Sequence, residues 1–125
     1  MAQHNELGKQ GEQLALRMLR QKGYAILKTN WRHGKDEVDI IAKDKNELVI
    51  VEVKTRSTDY FGDPEEAVTP QKARRMIRAA EAYAELAHAD MDIRFDIVAI
   101  VLKNGKAAIR HIEDAFFASD YWEER

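Results

Sequence analysis

The residues with chemistry in them are Asp39, Glu52 and Lys54. On a strand, alternate side chains share a face. In the run Leu48-Val49-Ile50-Val51-Glu52-Val53-Lys54, one face carries Leu48, Ile50, Glu52 and Lys54, and the other Val49, Val51 and Val53. Both faces are apolar before Glu52, which describes a central strand covered on both sides. An acid and an amine at the end of such a strand are costly unless paired. A two-residue turn at Lys45-Asn46 sets opposite one another residues whose numbers sum to 91 and so brings Asp39 opposite Glu52. Directly opposed like charges are destabilising, so a cation belongs between them. Lys54 is one candidate. A hard divalent ion is another, since Mg²⁺ takes carboxylate oxygens and keeps several waters. A three-residue turn would send the two acids to opposite faces.

Two carboxylates and an ammonium around one metal suit phosphodiester hydrolysis. The metal neutralises phosphate charge and makes its bound water more acidic, and the lysine stabilises charge that develops in the transition state. The same residues also make a strand-end ion pair, and their spacing alone leaves both readings open.

The elements that must position them follow from periodicity and turn chemistry. A helix is expected from Glu6 to Gln21, with Leu7, Gly11, Leu14, Ala15 and Met18 on its inner face and Gly23 after its end. Ala25-Ile26-Leu27 starts a short strand, Val38 to Ala42 a second, and Glu47 to Thr55 a third. Arg56 to Val68 reads as a loop. Thr69-Pro70 then opens a long helix as N-cap and first residue, with Ala73, Met76, Ile77, Ala80, Tyr83, Ala84 and Ala87 as its apolar stripe. Arg94 to Leu102 is a fourth strand. Asn104-Gly105 is a strong hairpin signal and leads to a fifth, Ala107 to Ile112. The tail with Phe116, Phe117, Tyr121 and Trp122 is expected to pack as a short helix. The fold class is α/β, a mixed sheet of about five strands flanked by helices, in the order α-β-β-β-α-β-β.

The 125 residues, 45% hydrophobic and 34% charged, suit a single globular domain spanning 1–125. Cysteine is absent, which excludes disulfides, thiolate zinc sites and cysteine nucleophiles and agrees with a cytoplasmic location. No apolar run is long enough for a membrane span, so no membrane association is expected. The net charge of −2 hides an uneven distribution. Residues 1–35 hold seven Lys/Arg against two Glu, and residues 70–80 hold Lys72, Arg74, Arg75 and Arg78 with no acid. Two basic stretches around an acidic middle are compatible with a metal site in a phosphate-binding surface, and equally with solvated helix faces.

Asp39 with Glu52-Val53-Lys54 resembles the PD-(D/E)xK nuclease motif. More narrowly, the chain resembles the YraN-type family of small bacterial proteins. The likeness is carried by Gly8 with Gly11-Glu12, Asn30-Trp31-Arg32, Glu37 to Ala42, Leu48 to Arg56, Phe61-Gly62, Lys72 and Arg94-Phe95-Asp96. It implies a restriction-endonuclease-like fold similar to that of archaeal Holliday-junction resolvases. It also implies a metal-dependent nuclease that hydrolyses DNA phosphodiesters by in-line attack of water, structure-selective in repair or recombination. By that resemblance Asp39 and Glu52 ligate Mg²⁺ or Mn²⁺, with the backbone carbonyl of Val53 as a further ligand. Lys54 positions the attacking water, Glu12 completes the site from the first helix, and Lys72, Arg75 and Arg56 contact nucleic acid, with a homodimer or protein partner compatible with the family. Asp36 stands where the family's glycine is expected, and Val38 replaces the proline of the motif's name.

Other residues read more simply. Glu37 is expected to cap its strand in solvent, and Asp96 to be a buried, hydrogen-bonded structural acid. The four histidines, His4, His33, His88 and His111, show no ligand spacing and read as surface or loop residues. Trp31 and Tyr60 are expected to pack rather than stack on bases. Two other classes of function stay open: a non-catalytic nucleic-acid-binding domain on a nuclease scaffold, and a protein-interaction module using the aromatic tail.

Overall fold

A computed structural model describes residues 6–57 and 68–121. Tyr60, Phe61-Gly62, His4 and Trp122, singled out above, lie outside the described residues. Helix α1 (Glu6–Gln21) is followed by strands β1 (Ala25–His33), β2 (Asp36–Asp44) and β3 (Glu47–Arg56). Helix α2 (Pro70–Leu86) leads to β4 (Asp92–Lys103) and β5 (Lys106–Phe116), and a short 3-10 helix, Ala118–Tyr121, closes the order. The five strands form one sheet in sequence order. Only β3 and β4 run parallel; the remaining neighbours are antiparallel hairpins. The expected α-β-β-β-α-β-β mixed sheet is therefore the observed one.

β3 is the central strand, and its two faces serve two cores. Val49 and Val51 pack with Ile40, Ala42, Val98 and Ile100 under α1, through Ala15, Leu16 and Leu19. Leu48 and Ile50 pack with Ile41, Phe95 and Ile97 under α2, through Ala73, Met76, Ile77 and Ala80. The β2–β3 hairpin turns on Lys45-Asn46, with Lys45 in the left-handed region at φ 57° and Asp44 paired with Glu47. Ile40 pairs with Val51 and Ile41 with Ile50, the register in which numbers sum to 91.

Several elements differ from expectation. β1 runs to His33, well past Leu27, because its outer residues pair with β2 while staying exposed, so alternation gives no signal. β5 likewise extends to Phe116. In α1 the buried residues are Gly11, Ala15, Leu16 and Leu19, whereas Leu7, Leu14 and Met18 are only partly covered. The inner stripe is thus rotated, and Glu12 lies on it, three, four and seven residues before Ala15, Leu16 and Leu19. In α2 Thr69 caps as expected, its hydroxyl accepting from the Lys72 amide (3.2 Å), but the stripe gains Ala79 and stops short of Ala87, which is the exposed C-cap. In the tail, Phe116 stacks on Phe95 with ring centroids 4.8 Å apart and meets Tyr121 edge-on at 5.5 Å, while Phe117 is exposed.

The buried acid expected to be structural is so. Asp96 is fully buried and accepts from Arg94 Nε (3.0 Å), Arg94 Nη2 (2.9 Å) and the Asp114 amide (3.2 Å). His111, expected at the surface, instead buries its side chain here, with Nε2 2.8 Å from Asp96 Oδ2. Lys22 Nζ lies 2.7 Å from His111 Nδ1. A lysine can only donate, so Nδ1 accepts and Nε2 carries the proton shared with Asp96. Arg94 also donates to Asp44, Glu47 and the Tyr24 hydroxyl. Burial raises the Asp96 carboxyl, but the His111 and Arg94 hydrogen bonds outweigh it and hold the group below its ordinary value. Its Asp44 and Glu47 arm sits at the hairpin end of β2 and β3, while Asp96 itself is in register with Val51, one residue before Glu52. The network stitches β2, β3, β4 and β5 together.

Candidate metal centre

The ladder between β2 and β3 stops at Ile40 and Val51. One step further lie Asp39 and Glu52. Here Asp39 replaces a backbone partner with its side chain, as Oδ2 accepts from the Val53 amide at 2.8 Å. The alternation of β2 also breaks here. Val38 and Ile41, an odd number apart, both join the α2-side core, while Ile40 joins the other. In β1, Asn30 adopts φ 48° and is skipped in the pairing that joins Thr29 to Ile40 and Trp31 to Val38. Such irregularities re-aim side chains and end pairing beside functional sites.

Glu52 is buried, at 4% exposure, and its carboxyl is in hydrogen-bond contact with that of Asp39. Burial first, then the charge of Asp39, push the Glu52 carboxyl up to about 8, against the pull of the Lys72 ammonium. The cation beside Glu52 is thus Lys72, whose Nζ pairs with Oε2, and not the neighbouring Lys54. Lys72 stands in the first turn of α2, a turn with no acid of its own. The acids open onto a cleft of about 330 Å³ walled by α2 (Thr69, Gln71, Lys72, Arg75) and by the β1–β2 hairpin (Arg32, Lys35, Glu37).

The residues expected to act are divided by the structure. Asp39, Glu52, Lys72 and Arg75 share the cleft. Val53 is half-buried with its amide on Asp39. Lys54 follows Glu52 on the same face of β3 but is exposed and outside the cleft walls, as is the half-buried Arg56 at the strand's end. Glu12 reaches β1, where Asn30 Nδ2 donates to its Oε1 (2.8 Å), and does not line the cleft. Its helix is held down at this point by Gly11, since a Cβ there would lie 1.8 Å from Thr55 Oγ1. Glu37, expected in solvent, is a cleft residue held 3.6 Å from Arg32 Nε. The alternation that puts it on the face of Asp39 could have revealed this. Arg32 and Lys35 carried no sequence signal beyond their charge. Asp36 is buried and accepts two hydrogen bonds from Arg78 (Nε 3.2 Å, Nη2 3.0 Å), which ties the hairpin to α2 and accounts for an acid where glycine was expected. Trp31 packs edge-on against Tyr83 (5.4 Å), as expected, and His33 stacks on its other side.

The donor set suits a hard divalent cation. Two neighbouring carboxyl groups, one of them buried, are stabilised by a shared proton or by a positive charge between them, and their oxygens are the ligands Mg²⁺ prefers. Among the described residues no group of three His, Cys, Asp or Glu side chains gathers around one point. Two carboxylates with the remaining positions left to water and substrate is a usual arrangement for Mg²⁺.

Comparison with known proteins agrees on one kinship. Residues 11–100 match the model of a family described as "Uncharacterised protein family UPF0102". A UPF0102 protein of Bacteroides thetaiotaomicron is 52% identical over 117 residues, 94% of this chain and 97% of that protein. One from Christiangramia forsetii is 50% identical over 94% of this chain and 98% of its own length. Among solved structures, SfsA of Pyrococcus furiosus in complex with Ca²⁺ overlaps 86% of this chain and 62% of its own, at 16% identity and a TM-score of 0.38, too low to establish a common fold. The near-complete mutual coverage at about half identity is decisive: this chain is a member of the UPF0102 family.

Proposed function

We propose that this protein is a divalent-metal-dependent nuclease that hydrolyses DNA phosphodiesters, with Asp39 and Glu52 as the metal-binding pair. The observation that carries the reading is the juxtaposition of these two carboxyl groups, one of them buried, in a cleft whose walls bear Arg32, Lys35, Lys72 and Arg75. A fold does not bring two acids together in a basic cleft for stability, since like charges repel and burial of a carboxylate is costly.

Mg²⁺ or Mn²⁺ bound to Asp39 and Glu52, with the carbonyl of Val53 as a further ligand, would supply charge neutralisation at the phosphate and an acidified water. The chain's own residues do the rest. Arg75 and Lys35 hold the phosphate from the two walls, with the guanidinium offering a planar fork to its oxygens. Arg32 keeps Glu37 occupied at the rim. Val53 N–H fixes the orientation of Asp39. Lys54, at the open end of β3, orients water from the solvent side, and Glu12 supports the site from α1. The cleft opens between α2 and the β1–β2 hairpin, an opening that suits an exposed strand or a distorted duplex and so a structure-selective substrate.

Cleavage of labelled linear duplex, single strand, flap and four-way-junction DNAs with Mg²⁺ or Mn²⁺ tests the reading. The wild type is expected to cut at least one form. Asp39→Asn, which keeps an acceptor for the Val53 amide, is expected to abolish cutting and remain folded, and Lys54→Ala to slow it at least 100-fold, about the size of a lost charge-stabilising group. An Asp39→Asn variant as active as wild type ends the proposal.

A second reading has its own support. Lys54 stands outside the cleft walls, and the described residues hold no three-acid group. Both features suit a nucleic-acid-binding domain without catalysis, which would bind the same DNAs in a salt-dependent way and indifferently to Mg²⁺.

A further inference from the structure

We infer that Lys72 is a built-in counter-cation, holding the Asp39–Glu52 pair together in the metal-free protein and leaving it when a divalent ion arrives. The inference rests on the metal reading of the site given above.

Glu52 and Asp39 line one cleft just beyond the end of the ladder, and Glu52 is almost wholly out of solvent. A charge in that position needs a compensating partner. The residue that supplies it is not on the strands at all. Lys72 reaches across from α2 and pairs with Glu52 Oε2. Its side chain is 44% exposed while that of Glu52 is 6% exposed, so the pair joins a fixed, buried carboxyl to an ammonium at the solvent edge. Lysine is suited to such an exchange. It is a point charge on a flexible four-carbon stem, with none of the planar fork that would lock an arginine in place.

The root of the stem does not move with its tip. The Lys72 amide is held by the Thr69 hydroxyl at 3.2 Å, the N-cap of α2, so release of the ammonium leaves the helix intact. Once released, Lys72 finds no acid in the first turn of its own helix. Arg75, three residues on and so on the same helix face, lines the same cleft. The displaced ammonium therefore joins Arg75 on the wall where a phosphate would lie. One side chain serves two states: it neutralises the acids while the site lacks a metal, and it adds to the phosphate-binding wall when the metal has taken its place.

The test is Mn²⁺ binding, followed by calorimetry and by the loss of the free-ion electron paramagnetic resonance signal, on wild type, Lys72→Met, Lys72→Arg and Arg75→Met. If Lys72 competes with the metal, Lys72→Met binds Mn²⁺ about tenfold more tightly, because the metal no longer has to displace an ion pair. The same variant melts lower than wild type without metal and gains more in melting temperature on saturation with Mn²⁺. Lys72→Arg, which keeps the positive charge, binds Mn²⁺ no more tightly than wild type; a gain equal to that of Lys72→Met overturns the inference. Arg75→Met lacks the contact with Glu52 and reports the general field of the cleft, so a gain there equal to that of Lys72→Met overturns the inference. Equal Mn²⁺ affinity in wild type and Lys72→Met overturns it too and leaves the metal reading standing. Absence of Mn²⁺ binding in wild type and Lys72→Met alike overturns both.

Discussion

Asp39 and Glu52 stand side by side in one cleft, one step beyond the last paired residues of β2 and β3. The position is what makes the juxtaposition possible. Within the ladder, backbone pairing would hold the strands at fixed spacing. Beyond it, Asp39 takes the Val53 amide with its own side chain and turns inward. The acids therefore stand on rigid strands, yet at a place where the backbone has room for a ligand.

The proximity has a consequence for stability. Glu52 is raised from an ordinary 4.5 to about 8, so the folded protein holds its proton more tightly than the unfolded chain does. The stability this contributes is fully present below pH 4.5 and is lost as pH rises to about 8. In a metal chelator, the urea midpoint of wild type minus that of Glu52→Gln is expected to fall across that window. A difference that stays level, or rises, would show that the proton is not held there.

The packing of α1 on β3 sets a second prediction. A Cβ on Gly11 would lie 1.8 Å from Thr55 Oγ1 and 2.7 Å from Cγ2. Gly11→Ala is expected to cost about 1–3 kcal/mol by overpacking, despite the helix preference of alanine. Adding Thr55→Ala removes both of those atoms but keeps Cβ, 2.8 Å away, so the double variant is expected to recover part of the cost and to be more stable than the sum of the two single changes. Denaturant midpoints for the four proteins measure this coupling; strict additivity would place the strain elsewhere.

Two buried acids are expected to behave differently. Asp96 is fully buried and Arg94 is 4% exposed, so Asp96→Ala strands a buried guanidinium and should cost about 3 kcal/mol, the low end for such pairs because Arg94 keeps Asp44 and Glu47. Asp36 pairs with an Arg78 that is 57% exposed, and Asp36→Ala should cost less than about 1 kcal/mol. Urea unfolding of the two variants gives the comparison directly.

Asn30 offers a test of Glu12. Its amide donates to Glu12 from a backbone at φ 48°. Asn30→Gly keeps that backbone at little strain and removes the amide. If Glu12 supports the site, Asn30→Gly and Glu12→Gln should slow cleavage by similar factors, about tenfold, with unchanged melting temperatures. Full activity in both variants would make this a purely structural contact.

Much of the fold was legible in the sequence because its signals are local. The alternating and continuous apolar runs of β3 named it as central, Asn104-Gly105 and Lys45-Asn46 named the hairpins, and Thr69-Pro70 named the start of α2. The arithmetic of one two-residue turn sufficed to bring Asp39 opposite Glu52, since side-chain direction on a strand has period two. Only the tertiary structure decided which cation meets them. Lys54 is adjacent in sequence, but the end of β3 leaves it in solvent. Lys72 is remote in sequence, and the packing of α2 over the α2-side core carries it to Glu52. The same holds for Asp36 with Arg78, for Glu12 with Asn30 and for His111 with Asp96. Each joins elements whose relative placement depends on how apolar faces pack, and a hydrophobic pattern states that a face is buried without stating what it is buried against.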